Sequence, residues 1–384
     1  MNQPIHHRQY SAGLSLIELM VALAVSAIML LGVTTIYTAS KRSYQINSEM
    51  AAIQENARYA LHTLTNEIRM AGTTGCQNID SIKMQVLSSP PPAGFSNTTA
   101  PGDDGIHRVS TFNLNSYLTG HTYNGGAWSP PFEAGLEPTN FVAGTDAITI
   151  RNVSACSARV NSDNGNNLNV TGNCTFNDGD VVIVADCQSA DMFTVTGPPG
   201  NGNPYTLSYN GAANDPNTLS GKEEKYEGAM VFKANTAVYY LGQDNGVPPT
   251  GLYVRRLTNI GGAYIPQQSL LIPNVDDLVI TYGLDTDGDP GRSVDTEMFA
   301  AAIDAAGLPL IQNAIQRDMD EGRPVKIAVT SPWSRVVRVN LQLLLASEPV
   351  GTTLKPFNFD GVNYNDTRSR RVFSTSINIR ARTP

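Results

Sequence analysis

Near its N-terminus the chain carries an apolar segment, residues 19–33, that contains no charged side chain. A helix of about 20 apolar residues is long enough to cross a bilayer. One carboxylate, Glu18, stands at the start of this segment, directly behind a short polar leader. Because an ionisable side chain inside a membrane is costly, Glu18 is expected to have a function and a partner of opposite charge.

Cleavage of the chain after Gly13 would supply that charge, because the new amine of Leu14 would lie one helical turn from Glu18 at the same membrane depth. In an array of parallel helices, each Glu18 could then meet the amine of its neighbour. The three residues resemble the signature of type IV prepilins, with Gly before the cut, an apolar first residue and Glu at the fifth position after it. Leu14 replaces the usual Phe, and Leu16 the usual Thr. The resemblance implies that prepilin peptidase cuts after Gly13 and methylates Leu14.

Two other interpretations fit the same segment. A secretory signal peptide would be cut behind the apolar stretch, for example at residues 38–40, and an ordinary membrane anchor would not be cut. Neither interpretation gives Glu18 a purpose. The orientation in the membrane stays open, because Arg8 on one side is balanced by Lys41 and Arg42 on the other.

A long helix is predicted from Leu14 to Ala71, because residues 33–71 contain no glycine and residues 5–89 no proline. Residues 14–37 would form its membrane-spanning half, and Gly72 would stop it. Beyond the membrane, apolar residues recur in steps of three and four on one helix face. These residues are Ile46, Met50, Ile53, Ala57, Leu61, Leu64 and Ile68. The stripe predicts packing on a body, and a coiled-coil stalk is the alternative.

The rest of the chain, residues 72–384, is predicted to be a β-rich body with long loops. Short β-branched runs separated by turn residues indicate strands, at residues 147–150, 180–184, 193–195, 229–232, 237–240, 252–254, 278–281, 335–345 and 372–379. Residues 88–131 and 197–217 are predicted surface loops, and residues 297–306 and 310–321 predicted helices. We therefore expect an α+β fold in which the long helix packs on an antiparallel body.

Four cysteines, Cys76, Cys156, Cys174 and Cys187, follow the apolar segment without a Cys-x-x-Cys pair. An even number in an exported body favours two disulfides. We favour Cys156 with Cys174, which closes a short loop, and Cys76 with Cys187, which ties the end of the helix to a strand. Unpaired buried thiols are the alternative.

An acidic segment could bind a hard cation, because carboxylates at nearly alternate positions of a tight loop can converge on Ca²⁺. Its carboxylates are Asp285, Asp287, Asp289, Asp295 and Glu297. Pro290 and Thr296 stand where an EF-hand has its Gly and its last Glu, so the loop would be a variant. A solvated acidic turn is the alternative.

No enzymatic activity is predicted, because the sequence has no nucleophile elbow, phosphate-binding loop, dinucleotide-binding motif or zinc-protease motif. His62, His107 and His121 are expected on the surface. A net charge of −8 and a pI near 5.1 argue against a general nucleic-acid-binding surface. Apart from the metal loop, no cofactor is expected.

Segments along the whole chain resemble the PilW family of minor pilins, at residues 56–72, 179–187, 275–283, 333–339 and 370–380. The resemblance implies that residues 1–13 are a leader and that the fold is pilin-like. It implies a single-pass inner-membrane protein with a periplasmic body, which later enters the pilus fibre at the cell surface. Its partners would be prepilin peptidase, other minor pilins, the major pilin and a large tip adhesin. The alternative is a J-type minor pseudopilin of type II secretion.

Overall fold

The computed structural model describes residues 15–73, 83–86, 117–133, 135–154, 158–186, 189–199, 204–211, 213–214, 226–244, 247–286, 294–306, 332–349 and 356–380. One long helix is followed by a β-rich body, which confirms the predicted α+β class. The strands are β1 Lys83–Val86, β2 Leu118–Tyr123, β3 Trp128–Ser129, β4 Asp146–Val153, β5 Ala158–Asp163, β6 Asn167–Gly172, β7 Val181–Ala185, β8 Ser189–Thr194, β9 Tyr205–Ser208, β10 Met230–Asp244, β11 Val247–Ile260, β12 Ala263–Pro273, β13 Val275–Leu284, β14 Thr296–Met298, β15 Val336–Ala346, β16 Phe357–Phe359, β17 Val362–Tyr364 and β18 Arg370–Asn378.

Helix α1 runs from Leu16 to Arg69, so it is shorter at both ends than the sequence predicts. Gly72 marks the exit of the chain from the helix with a positive φ of 71°. Its N–H donates to the Arg151 carbonyl at 2.9 Å, and a Cβ at this position would lie 2.8 Å from the Tyr117 ring. Both the backbone conformation and the close approach of Tyr117 require glycine here.

Three sheets form the described part of the body. The largest has the order β1-β8-β7-β10-β4-β2-β3, with β11 and β12 attached to β10 on one side and β5, β6 and β9 on the other. The second sheet has the order β14-β13-β15-β18, and β16 pairs with β17. Among the described strands every pairing is antiparallel except that of β1 with β8. Strand β10 joins two parts of the large sheet, since its first residues pair with β7 and its later ones with β4 and β11.

The second half of α1 packs on this body. The helix contacts β18, β15, β12 and β4. The residues that it buries are Ile53, Ala57, Ala60, Leu64 and Ile68, with Met50 and Leu61 partly buried beside them. The predicted stripe therefore faces the body rather than forming a stalk, although the stripe omitted Ala60. Alanines at two of these positions let the helix backbone lie close to the sheets.

A polar contact fixes the last turns of α1. The Glu67 carboxylate accepts hydrogen bonds from Asn152 Nδ2 at 2.6 Å and from Arg256 Nη2 at 3.0 Å. The same Arg256 nitrogen donates to the Tyr239 hydroxyl at 2.9 Å. Burial raises the pKa of that hydroxyl, so it stays protonated. Glu67 thus ties the helix to both β4 and β11.

A buried carboxylate links the two larger sheets. One oxygen of Asp146, on β4, accepts from the backbone N–H of Ile280 on β13 at 2.8 Å. Its other oxygen accepts from the Thr122 hydroxyl on β2 at 2.8 Å. Burial raises the pKa of Asp146 to about 6, with Asp360 adding repulsion. The inter-sheet contact therefore carries an electrostatic cost when this carboxyl group ionises.

Two predicted loops contain strands that the sequence does not reveal. Strand β2 lies within the predicted loop 88–131, and β9 lies within 197–217. The local signal at β2 is weak because it contains Gly120, yet this glycine is required: a Cβ there would lie 2.1 Å from the Tyr282 hydroxyl oxygen. Turn-forming residues made both segments look like loops. They are strands because they pair with segments that are distant in the sequence.

The predicted helix 297–306 is also partly wrong. Its first two residues belong to β14, and residues 300–306 are helical. Ala300 and Ile303 in this helical part are buried in the same core as α1. The other predicted helix, residues 310–321, lies outside the described residues.

Candidate functional site

The first half of α1 is not covered by the body. Its large apolar side chains, from Leu16 to Tyr37, are between 46% and 79% exposed. By length and composition the helix could cross a membrane. A signal sequence near an N-terminus can have the same length and composition. An apolar surface of this extent is unfavourable in water. It requires lipid or other protein chains around it.

The serine and threonine hydroxyls of residues 16–38 donate to the backbone of the helix itself. The Ser26 hydroxyl donates to the Ala22 carbonyl at 2.7 Å. The Thr34, Thr35 and Thr38 hydroxyls donate to carbonyls three residues earlier, at 2.8 to 3.0 Å. Such local bonds remove the cost of a hydroxyl in hydrocarbon. Glu18 is the one charged side chain of residues 15–40.

Glu18 lies in the first turn of α1, in a capping box with Ser15. The Ser15 backbone N–H donates to the Glu18 carboxylate at 3.2 Å, and the Glu18 N–H donates to the Ser15 hydroxyl oxygen at 3.2 Å. Ser15 itself is extended, with φ −75° and ψ 150°. The predicted processing residues, Gly13 and Leu14, lie outside the described residues. Sequence reasoning missed Ser15, although Ser three positions before Glu is the spacing of a capping box.

Cys174 is buried and disulfide-bonded. Its backbone carbonyl accepts a hydrogen bond from the Tyr205 hydroxyl at 3.0 Å. The other three cysteines, Cys76, Cys156 and Cys187, lie outside the described residues. The pairing of Cys156 with Cys174 and of Cys76 with Cys187 stays a prediction.

The acidic segment is described only at its two ends, since Asp287 and Asp289 lie outside the described residues. The Asp295 carboxylate accepts from the Thr286 N–H at 2.7 Å and from the Thr286 hydroxyl at 3.1 Å. Glu297 accepts from the Asn340 side-chain amide at 3.1 Å. In the described ranges no three His, Cys, Asp or Glu side chains are grouped as metal ligands. Calcium binding at this segment, Asp285 included, stays a prediction.

The histidines differ from expectation at one position. His62 is exposed on α1, and His107 lies outside the described residues. His121 is buried, with its ring nitrogens 2.8 Å from the Pro130 carbonyl oxygen and 2.8 Å from the Thr149 hydroxyl. Burial lowers the pKa of His121 to about 3, so the ring is neutral. The expected surface position was wrong because β2 was not recognised as a strand.

Comparison with protein-family models gives two matches. Residues 8–34 match the prokaryotic N-terminal methylation motif. Residues 238–381 match the type IV pilus-assembly protein W. No curated protein and no solved structure matches the chain.

The two matched regions correspond to the two parts of the fold described above. The first covers Gly13, Leu14, Glu18 and most of the uncovered half of α1. The second begins in β10 and continues through β18, so it includes the sheet that receives the second half of the helix. Together the two matches support a type IV pilus pilin of the PilW family with a prepilin-type N-terminal motif.

Proposed function

We propose that this chain is a minor pilin that helps to start the assembly of a type IV pilus. Residues 1–13 are its leader, which prepilin peptidase removes before it methylates the amine of Leu14. The chain is a substrate of that enzyme and has no catalysis of its own. The observation that carries the proposal is the uncovered apolar half of α1, with a single carboxylate in its first turn.

The carboxylate has capacity for a second partner. Within the described residues, one oxygen of Glu18 accepts from the Ser15 N–H and the other accepts no hydrogen bond. A carboxylate can accept about four hydrogen bonds. The methylated amine of Leu14 on a neighbouring pilin is a cation of the right charge and depth. The pair would offset the cost of placing Glu18 in an apolar environment.

Before assembly the protein would sit in the inner membrane with its body in the periplasm. Together with other minor pilins it would form the complex that primes the fibre and then caps its tip, next to the major pilin and a large tip adhesin. The match to the type IV pilus-assembly protein W supports this role. The same N-terminal motif would suit a J-type minor pseudopilin, but the match over residues 238–381 favours the pilus.

The Glu18→Ala variant tests this proposal in the native host. Removal of a carboxylate makes a helix easier to insert, so the variant should remain membrane-bound and lose its leader. It should nevertheless be missing from sheared fibres, because the charge that docks it against a neighbour is absent. Glu55→Ala, an exposed position of the same helix, is the matched control. Normal incorporation of Glu18→Ala would refute the pairing.

A further inference from the structure

An amine and a carboxamide meet at one carboxylate in the large sheet. Asp180 directly precedes β7, Lys233 lies in β10 and Asn259 lies in β11. The Lys233 Nζ is 2.8 Å from one oxygen of the Asp180 carboxylate. The Asn259 side-chain amide donates to the other oxygen, also at 2.8 Å. Asp180 therefore bridges a lysine and an asparagine that come from two different strands.

The site is partly shielded from water. The Asp180 side chain is 5% exposed and that of Lys233 is 29% exposed. The ring of the buried Phe176 lies 5.7 Å from the Lys233 Nζ. A lysine amine in an apolar environment, next to a group that can take its proton, is a nucleophile.

The Asn259 carboxamide is held in place at both ends. Its oxygen accepts from the Gly262 N–H at 2.9 Å, and its nitrogen also donates to the Asp178 carbonyl at 2.7 Å. The fit between the two loops is close, because a Cβ on Gly179 would lie 2.7 Å from the Cα of Gly262. A backbone N–H on the carboxamide oxygen stabilises the negative charge that develops there when a nucleophile attacks the carbon.

We propose that Lys233 and Asn259 form an intramolecular isopeptide bond, with Asp180 as the acid and base of the reaction. The three groups that this chemistry needs are present: an amine, a carboxamide with a donor on its oxygen, and a carboxylate in contact with both nitrogens. General acid–base catalysis requires such hydrogen-bond contact with the groups that exchange protons. This covalent modification is independent of the function proposed above.

The reaction consumes no other reagent. Asp180 takes a proton from the Lys233 ammonium group, and the neutral Nζ attacks the Cγ of Asn259. The new C–N bond forms while Asp180 delivers its proton to Nδ2 and then takes the second proton from Nζ. The bond between Cγ and Nδ2 breaks, and ammonia leaves. The products are a secondary amide between the two side chains and one ammonia, which carries away the remaining proton as ammonium.

The bond would close the sheet at the point where two of its strands separate. Strands β10 and β11 are paired from Ala237 opposite Arg256 onward. Before Ala237, β10 pairs with β7 instead, with Lys233 opposite Val182. A covalent link at this fork restricts the unfolded chain, as other cross-links do.

Intact mass measurement of the protein from its native host tests the proposal with two matched variants. Lys233→Arg removes the nucleophile but keeps a cation beside Asp180, so the ion pair and the fold are retained. Lys41→Arg makes the same substitution at an exposed position of α1. The two variants have the same composition and hence the same calculated mass. Lys41→Arg should nevertheless be lighter than Lys233→Arg by one ammonia. Equal masses would overturn the proposal.

Tryptic digestion of the denatured, reduced wild-type protein locates the bond. Trypsin cuts after Arg255 and Arg256 but not after an acylated lysine, so residues 226–255 should stay joined to residues 257–292. A loss of ammonia without these joined peptides would mean that an asparagine had formed a succinimide, and would overturn the link. Asp180→Asn keeps an oxygen beside Lys233 without the base and should leave the peptides separate. Full linkage in this variant would overturn the role of Asp180.

Discussion

The Glu67 carboxylate accepts a hydrogen bond from Arg256 at 3.0 Å, and this contact joins the last turns of α1 to strand β11. The same carboxylate accepts from Asn152, whose side chain is buried on β4. Glu67 therefore adds a polar contact to the apolar stripe of α1 that packs on the body. It fixes how the body is held on the helix that carries the assembly segment.

Loss of this carboxylate should destabilise the body. Glu67→Ala removes the acceptor of the buried Asn152 amide and one of the two acceptors of Arg256 Nη2. Leaving a buried donor unsatisfied costs about 1–3 kcal/mol. Unfolding of the full chain by urea in detergent can be followed by tryptophan fluorescence, since Trp128 and Trp333 are both buried. Glu55→Ala, which removes an exposed carboxylate from the same helix, should change the free energy of unfolding by less than about 0.5 kcal/mol. Equal effects of the two substitutions would contradict the anchoring role of Glu67.

The buried carboxyl group at the junction of the two sheets predicts a pH dependence of stability. The pKa of Asp146 in the folded chain is raised from 3.8 to about 6. The stabilising contribution of protonated Asp146 to the free energy of unfolding is therefore fully present below about pH 4. It is lost as the pH rises through 6. Asp146→Asn keeps an acceptor for Ile280 without the charge. Relative to wild type, this variant should gain about 1–3 kcal/mol in free energy of unfolding between pH 4 and pH 7, at about 1.4 kcal/mol per pKa unit.

The control for this effect is Glu137→Gln, at an exposed position. Its free-energy difference from wild type should stay constant over the same pH range. If the difference between Asp146→Asn and wild type is also constant, burial does not set the ionisation of Asp146.

Calcium should stabilise the chain if the acidic segment binds it. A ligand bound only by the folded state adds about 2.7 kcal/mol at a hundredfold excess over its Kd. The melting temperature should then be several degrees higher with millimolar calcium than with chelator, and Asp287→Ala should abolish the difference. Asp304→Ala, at an exposed position outside the segment, should retain it. Identical melting with calcium and with chelator would favour a solvated acidic turn.

Sequence reasoning located the elements whose signal is local. The helix and its buried face follow from steps of three and four between Ile53 and Ile68 and from the absence of glycine and proline. Strands β13 and β15 are long runs rich in Val, Ile and Leu, and they pair in the core, with Ile280 opposite Leu341.

Other features depend on contacts between distant parts of the chain. Strand β2 forms by pairing with β4, where Gly120 lies opposite Ile148, and the burial of His121 depends on Pro130 and Thr149. Strand β12 was missed because most of its residues are exposed and it pairs within the described chain only with β11. An edge strand of this kind has little hydrophobic alternation to detect.

At the N-terminal site, Glu18 was found because one charge in an apolar run is visible in the sequence. The hydrogen bonds between Ser15 and Glu18 required coordinates, although their spacing was readable. In the acidic segment, the spacing of the carboxylates predicted a cation site. At the described positions, however, Asp295 and Glu297 accept hydrogen bonds from protein side chains. Spacing alone did not determine what those carboxylates contact.

Processing of the chain as a prepilin would be visible at the N-terminus of the mature protein. Mass spectrometry of the membrane-bound protein from its native host would identify the first residue and its modification. We expect a chain that begins at N-methylated Leu14, with residues 1–13 removed. A chain that begins near Lys41, as after signal-peptide cleavage, or one that retains Met1, would contradict it.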